Sequence, residues 1–217
     1  MLKKTTLSII EMLIKRQPAL SVCLDAFLPS VEALYACYSK QHKLLVCGNG
    51  GSAADSEHIV GELMKGFLLP RKLKRAVQDQ FEFMFPEDAA YFIGNLQGSL
   101  PALSLVNQIA FNTAFANDQA PNLCFAQQVL GLGNAGDVFL GISTSGYSEN
   151  VIYAAKAAKV RNLTVLALTG QDGGELEAVA DICIQVPERE TYKVQEYHVM
   201  IYHMLCAAIE NEIFGKS

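Results

Sequence analysis

Apolar and polar positions follow two different periods along this chain. Near the N-terminus Leu7, Ile10, Leu13 and Ile14 recur at helical spacing, Pro18 breaks the pattern, and a second helical stretch is predicted from about Ser30 to Ser39. From Lys43 onward short apolar runs alternate with amphipathic stretches. The runs predict strands at Leu44 to Cys47, Leu100 to Leu105, Asp137 to Ile142, Leu163 to Leu168 and Ile182 to Val186. The stretches between them predict helices at Ser52 to Met64 with Ser52 as cap, Ile109 to Ala116, Asn150 to Lys159, Glu175 to Ala180 and Lys193 to Ile213. Strands that alternate with helices pair in parallel and are covered on both faces. The expected fold class is therefore α/β: a doubly wound parallel sheet flanked by helices, one domain over residues 1–217, with N-terminal helices in residues 1–40.

Residues 70–99 do not keep this rhythm. Lys72, Lys74 and Arg75 form a basic cluster, read as a solvated loop, and the stretch Gln80 to Phe92 shows no period of its own. Phe81, Phe83, Met84, Phe85, Tyr91 and Phe92 crowd large apolar side chains into this insertion. An exposed patch of that kind is rarely tolerated, so the segment is expected to pack at a subunit contact or over a pocket.

Composition narrows the class of partner. With 217 residues, 51% of them apolar, the chain is long enough for a real core, and its net charge of −5 offers no basic stripe for nucleic acid or a membrane surface. Glu11 and Lys15 interrupt the apolar start before a signal-peptide core forms, and no stretch is read as long enough to span a membrane. The six cysteines lack any Cys-x-x-Cys spacing and sit in apolar contexts, which points to buried thiols and a cytoplasmic protein.

Two turn blocks carry the first candidate chemistry. Cys47-Gly48-Asn49-Gly50-Gly51-Ser52 and Gly141-Ile142-Ser143-Thr144-Ser145-Gly146-Tyr147-Ser148 each follow a predicted strand and lead into a helix. Such turns present backbone N–H groups and a positive helix end to an anion, so a phosphorylated small molecule is the expected ligand. Neither block has the spacing of a Walker loop or of a dinucleotide-binding turn. In a parallel sheet both lie at the carboxyl ends of strands, where ligands bind.

The second constellation lies on two predicted helices. His58 and Glu62 are four residues apart and share a helical face, while Gln195 and His203, eight apart, fall within about 80° around their helix axis. These four side chains suit either a divalent metal such as zinc or an acid–base pair. His42 and His198 are read as surface or hydrogen-bonded histidines.

Together the blocks resemble the sugar isomerase (SIS) domain family, and within it the bacterial sedoheptulose 7-phosphate isomerases, also called phosphoheptose isomerases. The resemblance runs from Leu44 to Glu210 apart from the insertion, and rests on the two turn blocks, His58 with Glu62, Asn117-Asp118, Leu168-Thr169-Gly170, and Val194-Gln195-Glu196 with His203. It implies a flavodoxin-like SIS fold, a phosphorylated sugar as substrate, and a homotetramer with active sites built between subunits. It maps phosphate binding onto Ser143, Thr144, Ser145 and Ser148, and sugar contacts onto Asn49, Gly50, Gly51, Ser52, Asn117, Asp118 and Gln195. It also implies zinc on His58, Glu62, Gln195 and His203, at partial occupancy in some preparations, and Glu62 with His203 as the acid–base pair.

The chain departs from the family in two places. The insertion is longer than the family's usual connection, which leaves sugar length open, and an arginine often found past the first motif helix is replaced by Met64-Lys65-Gly66-Phe67, so that Lys65 or Arg71 would take its part. Two other functions stay open at this point. One is a non-catalytic SIS-domain adaptor of the replication-initiation type, for which the His58, Glu62, Gln195 and His203 set has no chemical use. The other is an isomerase of a different sugar phosphate.

Overall fold

The five predicted strands form one sheet. In the computed structural model, which describes residues 2–216, the strands are β1 (Leu44–Gly48), β2 (Ala102–Ser104), β3 (Val138–Ser143), β4 (Thr164–Thr169) and β5 (Ile182–Gln185). All pairs are parallel and the order is β2-β1-β3-β4-β5. The helices are α1 (Lys4–Arg16), α2 (Leu24–Ser39), α3 (Gly51–Met64), α4 (Arg75–Met84), α5 (Ala89–Asn95), α6 (Ile109–Asp118), α7 (Cys124–Leu132), α8 (Glu149–Val160), α9 (Gly174–Val179) and α10 (Thr191–Phe214).

Strand alternation splits the interior into two cores. Leu44 and Val46 of β1, with Val138, Leu140 and Ile142 of β3, pack under α1, α2, α3 and α10. Leu45, Cys47 and Phe139 point the other way, onto α7, α8 and α9. Apolar runs are needed in β1, β3 and β4 because both faces of these central strands are buried. From β1 the chain goes out to the edge at β2 and returns to β3 on the other side of β1, so the crevice between the C-terminal ends of β1 and β3 is the switch point where such folds bind ligands.

Helix α10, 24 residues and about 36 Å long, is the spine of the first core. It lies alongside α3 in the same direction: Gln195 meets Gly51, the His203 ring meets His58, and Glu210 reaches the segment just past α3. That last contact is a closed polar node. Glu210 accepts N–H bonds from Phe67 (2.8 Å), Leu68 (2.7 Å) and Leu69 (3.0 Å) and pairs with Arg71 Nε at 2.7 Å. Arg71 also donates to the Leu63 and Glu62 carbonyls, satisfying the end of α3. Both charged side chains are fully buried.

Several expectations need correction. Helix α2 starts at Leu24, after a 3-10 turn over Pro18–Cys23, and runs through Pro29, because burying Phe27, Val31 and Leu34 outweighs the hydrogen bond that Pro29 cannot donate. Counted as one helical stretch, Pro18–Ser39 is long and apolar enough by length and composition to cross a membrane, contrary to the sequence reading. Here Leu20, Cys23, Phe27 and Val31 instead pack in the first core. Ser52 does not cap α3. Gly50, at φ 55° and ψ −120°, occupies the cap position, and Ser52 is buried in the first turn. Helix α7 was not predicted at all; it follows a 3-10 turn at Pro121–Leu123 and buries Cys124, Phe125 and Val129.

The insertion also holds two helices that its sequence did not announce. Helices α4 and α5 pack on each other through a Phe81–Phe92 stack with ring centroids 5.0 Å apart, and Gly98 N–H donates to Arg71 O at 2.7 Å to close the base of the excursion. Arg75 starts α4 and pairs with Asp79 and Glu82. Within one chain the apolar residues are not covered: Phe83 is 88% exposed, and Met84, Phe85 and Tyr91 are exposed too.

Candidate active site

The two turn blocks converge on the crevice. Asn49, after β1, and Asn150, in the first turn of α8, exchange amide hydrogen bonds of 2.8 and 2.9 Å. Ser143 Oγ donates to Ser148 Oγ at 2.9 Å and accepts from Gly146 N–H at 3.1 Å, and Tyr147 N–H donates to Ser145 Oγ at 3.2 Å. Thr144 O accepts from Gly170 N–H, which ties the turn to the end of β4. The backbone N–H groups of Ser145, Ser148, Glu149 and Asn150 take no hydrogen-bond partner among the described residues. Four free donors at the positive end of α8 make this turn a candidate anion seat. Hydrogen bonds from Asn122 and Tyr153 hold the Glu149 carboxyl below the usual carboxylate range, so it is an anion at the seat's margin.

The second constellation lies along the α3–α10 seam. Glu62 Oε1 is 3.3 Å from His58 Nε2, and Lys65 Nζ donates to Glu62 Oε2 at 3.1 Å. The His58 and His203 rings meet edge to face with centroids 4.9 Å apart, and the Phe67 ring lies 5.6 Å from that of His203. Burial and the neighbouring His58 hold His203 below the usual histidine range, against the pull of Glu62. A largely neutral imidazole beside a carboxylate, both reachable from solvent, is the equipment for moving a proton between carbon and oxygen. His203 opens onto an apolar groove of about 730 Å³ whose walls include Ile9, Met12, Phe67, Met200 and Met204.

The remaining predicted residues are placed as follows. Gln195 lies directly against Gly51, so any side chain at position 51 would collide with its amide. Asn117 and Asp118 sit exposed at the end of α6, bonded to each other at 2.9 Å and, among the described residues, to none of the other predicted site residues. Arg71 is locked to Glu210 in the core, so Lys65 is the cation that reaches Glu62. His42 lies 3.6 Å from the buried Asp137, and His198 is fully buried.

Three residues of the site went unread in the sequence. Asn150 lies two residues past Ser148, the end of the serine turn. Asp55 sits on the α3 face of His58 and Glu62, three residues before His58, a spacing that was available as a signal. Tyr202 adjoins His203 and hydrogen-bonds His58 Nδ1 at 2.9 Å, which no spacing within α10 could disclose.

Two imidazoles, a carboxylate and a carboxamide suit zinc by donor type. The geometry goes less far. Only His58 and Glu62 come within ligand distance of each other, the Gln195 amide is turned to Gly51, and among the described residues no three His, Cys, Asp or Glu side chains converge as a metal-binding group.

Comparison with known proteins agrees with this architecture. Residues 102–208 match the SIS domain family. A phosphoheptose isomerase of Coxiella burnetii is 37% identical over 92% of this chain and 88% of its own length. Among solved structures, phosphoheptose isomerase GmhA from Neisseria gonorrhoeae superposes with a TM-score of 0.72 at 32% identity, covering 96% of this chain and 98% of that one. A phosphoheptose isomerase from Francisella tularensis gives 0.71 at 30% identity over 94% and 95%. The doubly wound sheet and these matches place the chain among the SIS domain proteins, and within them it belongs to the phosphoheptose isomerase family.

Proposed function

We propose that this chain is an aldose–ketose isomerase that converts sedoheptulose 7-phosphate to D-glycero-D-manno-heptose 7-phosphate through an enediol. The observation that carries the reading is the His58–Glu62–His203 cluster on a chain whose kinship with phosphoheptose isomerases covers nearly its whole length. Isomerisation moves a proton from C1 of the ketose to C2 of the aldose skeleton and shifts another between their oxygens. Glu62 takes and returns the carbon-bound proton, and His203 serves the oxygens. The phosphate sits at Ser143, Thr144, Ser145 and Ser148 on the free N–H groups of α8, which anchors the sugar away from the reacting carbons and orients it. Asn49, Gly50, Gly51, Ser52, Gln195, Asn117 and Asp118 are assigned to the sugar.

The same proposal includes a homotetramer with shared sites. Glu62 lies 11 residues beyond Gly51, about 16 Å along α3, whereas an extended seven-carbon sugar phosphate spans about 10 Å from C1 to phosphorus at ~1.2 Å per bond. That offset supports a site completed by a second copy, as do the exposed Asn117-Asp118 pair and the apolar groove beside His203. Zinc on His58, Glu62, Gln195 and His203 would add a Lewis acid, after the Gln195 side chain swings away from Gly51. The six free cysteines, five of them buried, fit a reducing cytoplasm.

The test is a panel of five- to seven-carbon ketose phosphates offered to purified protein with and without added zinc, with metal content measured on the same protein. Turnover greatest on sedoheptulose 7-phosphate supports the reading. Turnover of no ketose phosphate in either condition refutes it, and less than about a tenth of an equivalent of any transition metal in chelator-free protein counts against zinc.

A further inference from the structure

A single pair of side chains joins the two turn blocks. The β1–β3 ladder ends with Gly48 beside Ile142. Beyond it, among the described residues, the Asn49–Asn150 pair supplies the only hydrogen bonds from residues 49–52 to residues 143–150. Asn49 Nδ2 donates to Asn150 Oδ1 at 2.8 Å, and Asn150 Nδ2 donates back to Asn49 Oδ1 at 2.9 Å. Asn49 is exposed and Asn150 half-buried. Water competes for amides placed in this way, so the pair adds little to stability. What it sets is direction.

Two amides that exchange hydrogen bonds can do so either way round, provided both rotate together. Asn150 decides which. Its Oδ1 also accepts from Val151 N–H at 3.0 Å, so rotating the Asn150 amide would set N–H against N–H there. Asn49 must follow Asn150. A carboxamide carries two N–H groups and the pair uses one, so the second N–H of Asn49, which has no partner among the described residues, remains for a ligand. The backbone N–H of Asn150 belongs to the candidate anion seat, so one residue serves the seat with its backbone and Asn49 with its side chain. We propose that Asn150 is a positioning residue: its side chain turns the Asn49 amide so that the free N–H meets the sugar of a substrate whose phosphate occupies the seat. The role rests on the isomerase reading, which assigns Asn49 to the sugar. A donor held in its bound direction spares the complex the cost of ordering it. Asn49 lies just before α3, about three turns from Glu62, so losing its hold weakens ground and transition states alike and raises KM.

The test is a double-mutant cycle with two ligands. Asn150→Ala keeps the backbone N–H of the seat and removes the amide. It should raise KM for sedoheptulose 7-phosphate about tenfold with kcat within about threefold, while the Kd of inorganic phosphate, measured by calorimetry, stays within about twofold. Asn49→Ala should raise KM by a similar factor, and the double variant should lose no more than the worse single, within about twofold. Losses that multiply to about a hundredfold show that Asn150 does not act through Asn49 and overturn the proposal. So does an unchanged KM in Asn150→Ala, or an equal weakening of inorganic phosphate, which marks a merely structural part in the seat. If Asn150→Ala does not fold, Asn150→Leu, which keeps the shape without donor or acceptor, decides by the same readings. A parent that turns over no ketose phosphate refutes the isomerase reading by itself. The calorimetric Kd of sedoheptulose 7-phosphate then carries the same cycle, and failure of that sugar phosphate to bind overturns the positioning role as well.

Discussion

Replacing His198 by leucine should remove much of the chain's loss of stability in acid. His198 lies on α10, fully buried, and neither ring nitrogen has a hydrogen-bond partner. Burial pulls its pKa from the ordinary 6.5 down to about 4, with the Thr169 backbone opposing. The unfolded chain therefore takes up this proton at higher pH than the folded one. Its contribution to stability is complete above pH 6.5 and is lost as pH falls toward 4. The gap between the two values amounts to about 3 kcal/mol.

Asp55 complicates the parent's own curve. Its carboxyl is raised from 3.8 to about 6, so protonation between those values favours the folded state and offsets part of the histidine loss. The difference between variant and parent cancels Asp55 and isolates His198. Urea denaturation at pH 8, 6.5, 5 and 4, at one protein concentration, measures that difference. Leucine should gain on the parent by about 3 kcal/mol between pH 8 and pH 4, nearly all of it below pH 6.5. A difference that stays flat within about 0.5 kcal/mol over this range would show that His198 is not held neutral by burial, and the reasoning fails.

Glu62→Gln should abolish isomerisation while substrate still binds, since the amide keeps the shape and cannot accept the proton; turnover within about threefold of the parent, with metal content matched, would remove Glu62 as the base. Arg71→Met should cost about 3–5 kcal/mol in urea denaturation, because it strands the fully buried Glu210, and adding Glu210→Gln should recover part of that loss. Deletion of residues 73–96 with a short glycine linker spares Arg71 and the Gly98–Arg71 hydrogen bond. It should weaken the proposed tetramer in sedimentation analysis or change preference among sugar phosphates; unaltered mass and kinetics would make α4 and α5 a passive excursion.

How much of this was legible depends on where each signal comes from. The strands were readable because both faces of β1, β3 and β4 are buried, which writes burial into consecutive residues such as Leu44 to Cys47 and Val138 to Ile142. The helices of the insertion were not. None of the residues of α4 is buried, so no core imposes a stripe on its sequence; Phe81 meets only Phe92 of the neighbouring short helix, and Phe83 is left exposed. Helix α7 hid behind the 3-10 turn at Pro121, where the local sequence reads as a break.

The site divides along the same line. His58 with Glu62 could be found because their relation lies within one helix, where spacing fixes the face. Gln195 and His203 also lie within one helix, yet their partners are set by the register of α10 against α3, which puts Gln195 on Gly51 and His203 on His58. That register is held at its far end by Glu210, which gathers the N–H groups of Phe67, Leu68 and Leu69 and the Arg71 guanidinium, while Arg71 takes the last carbonyls of α3. Sliding α10 by one turn would break the four bonds to Glu210 and shift His203 about 5 Å along its axis relative to His58. The geometry of the proposed acid–base pair is thus tied to a buried ion pair two turns away from it.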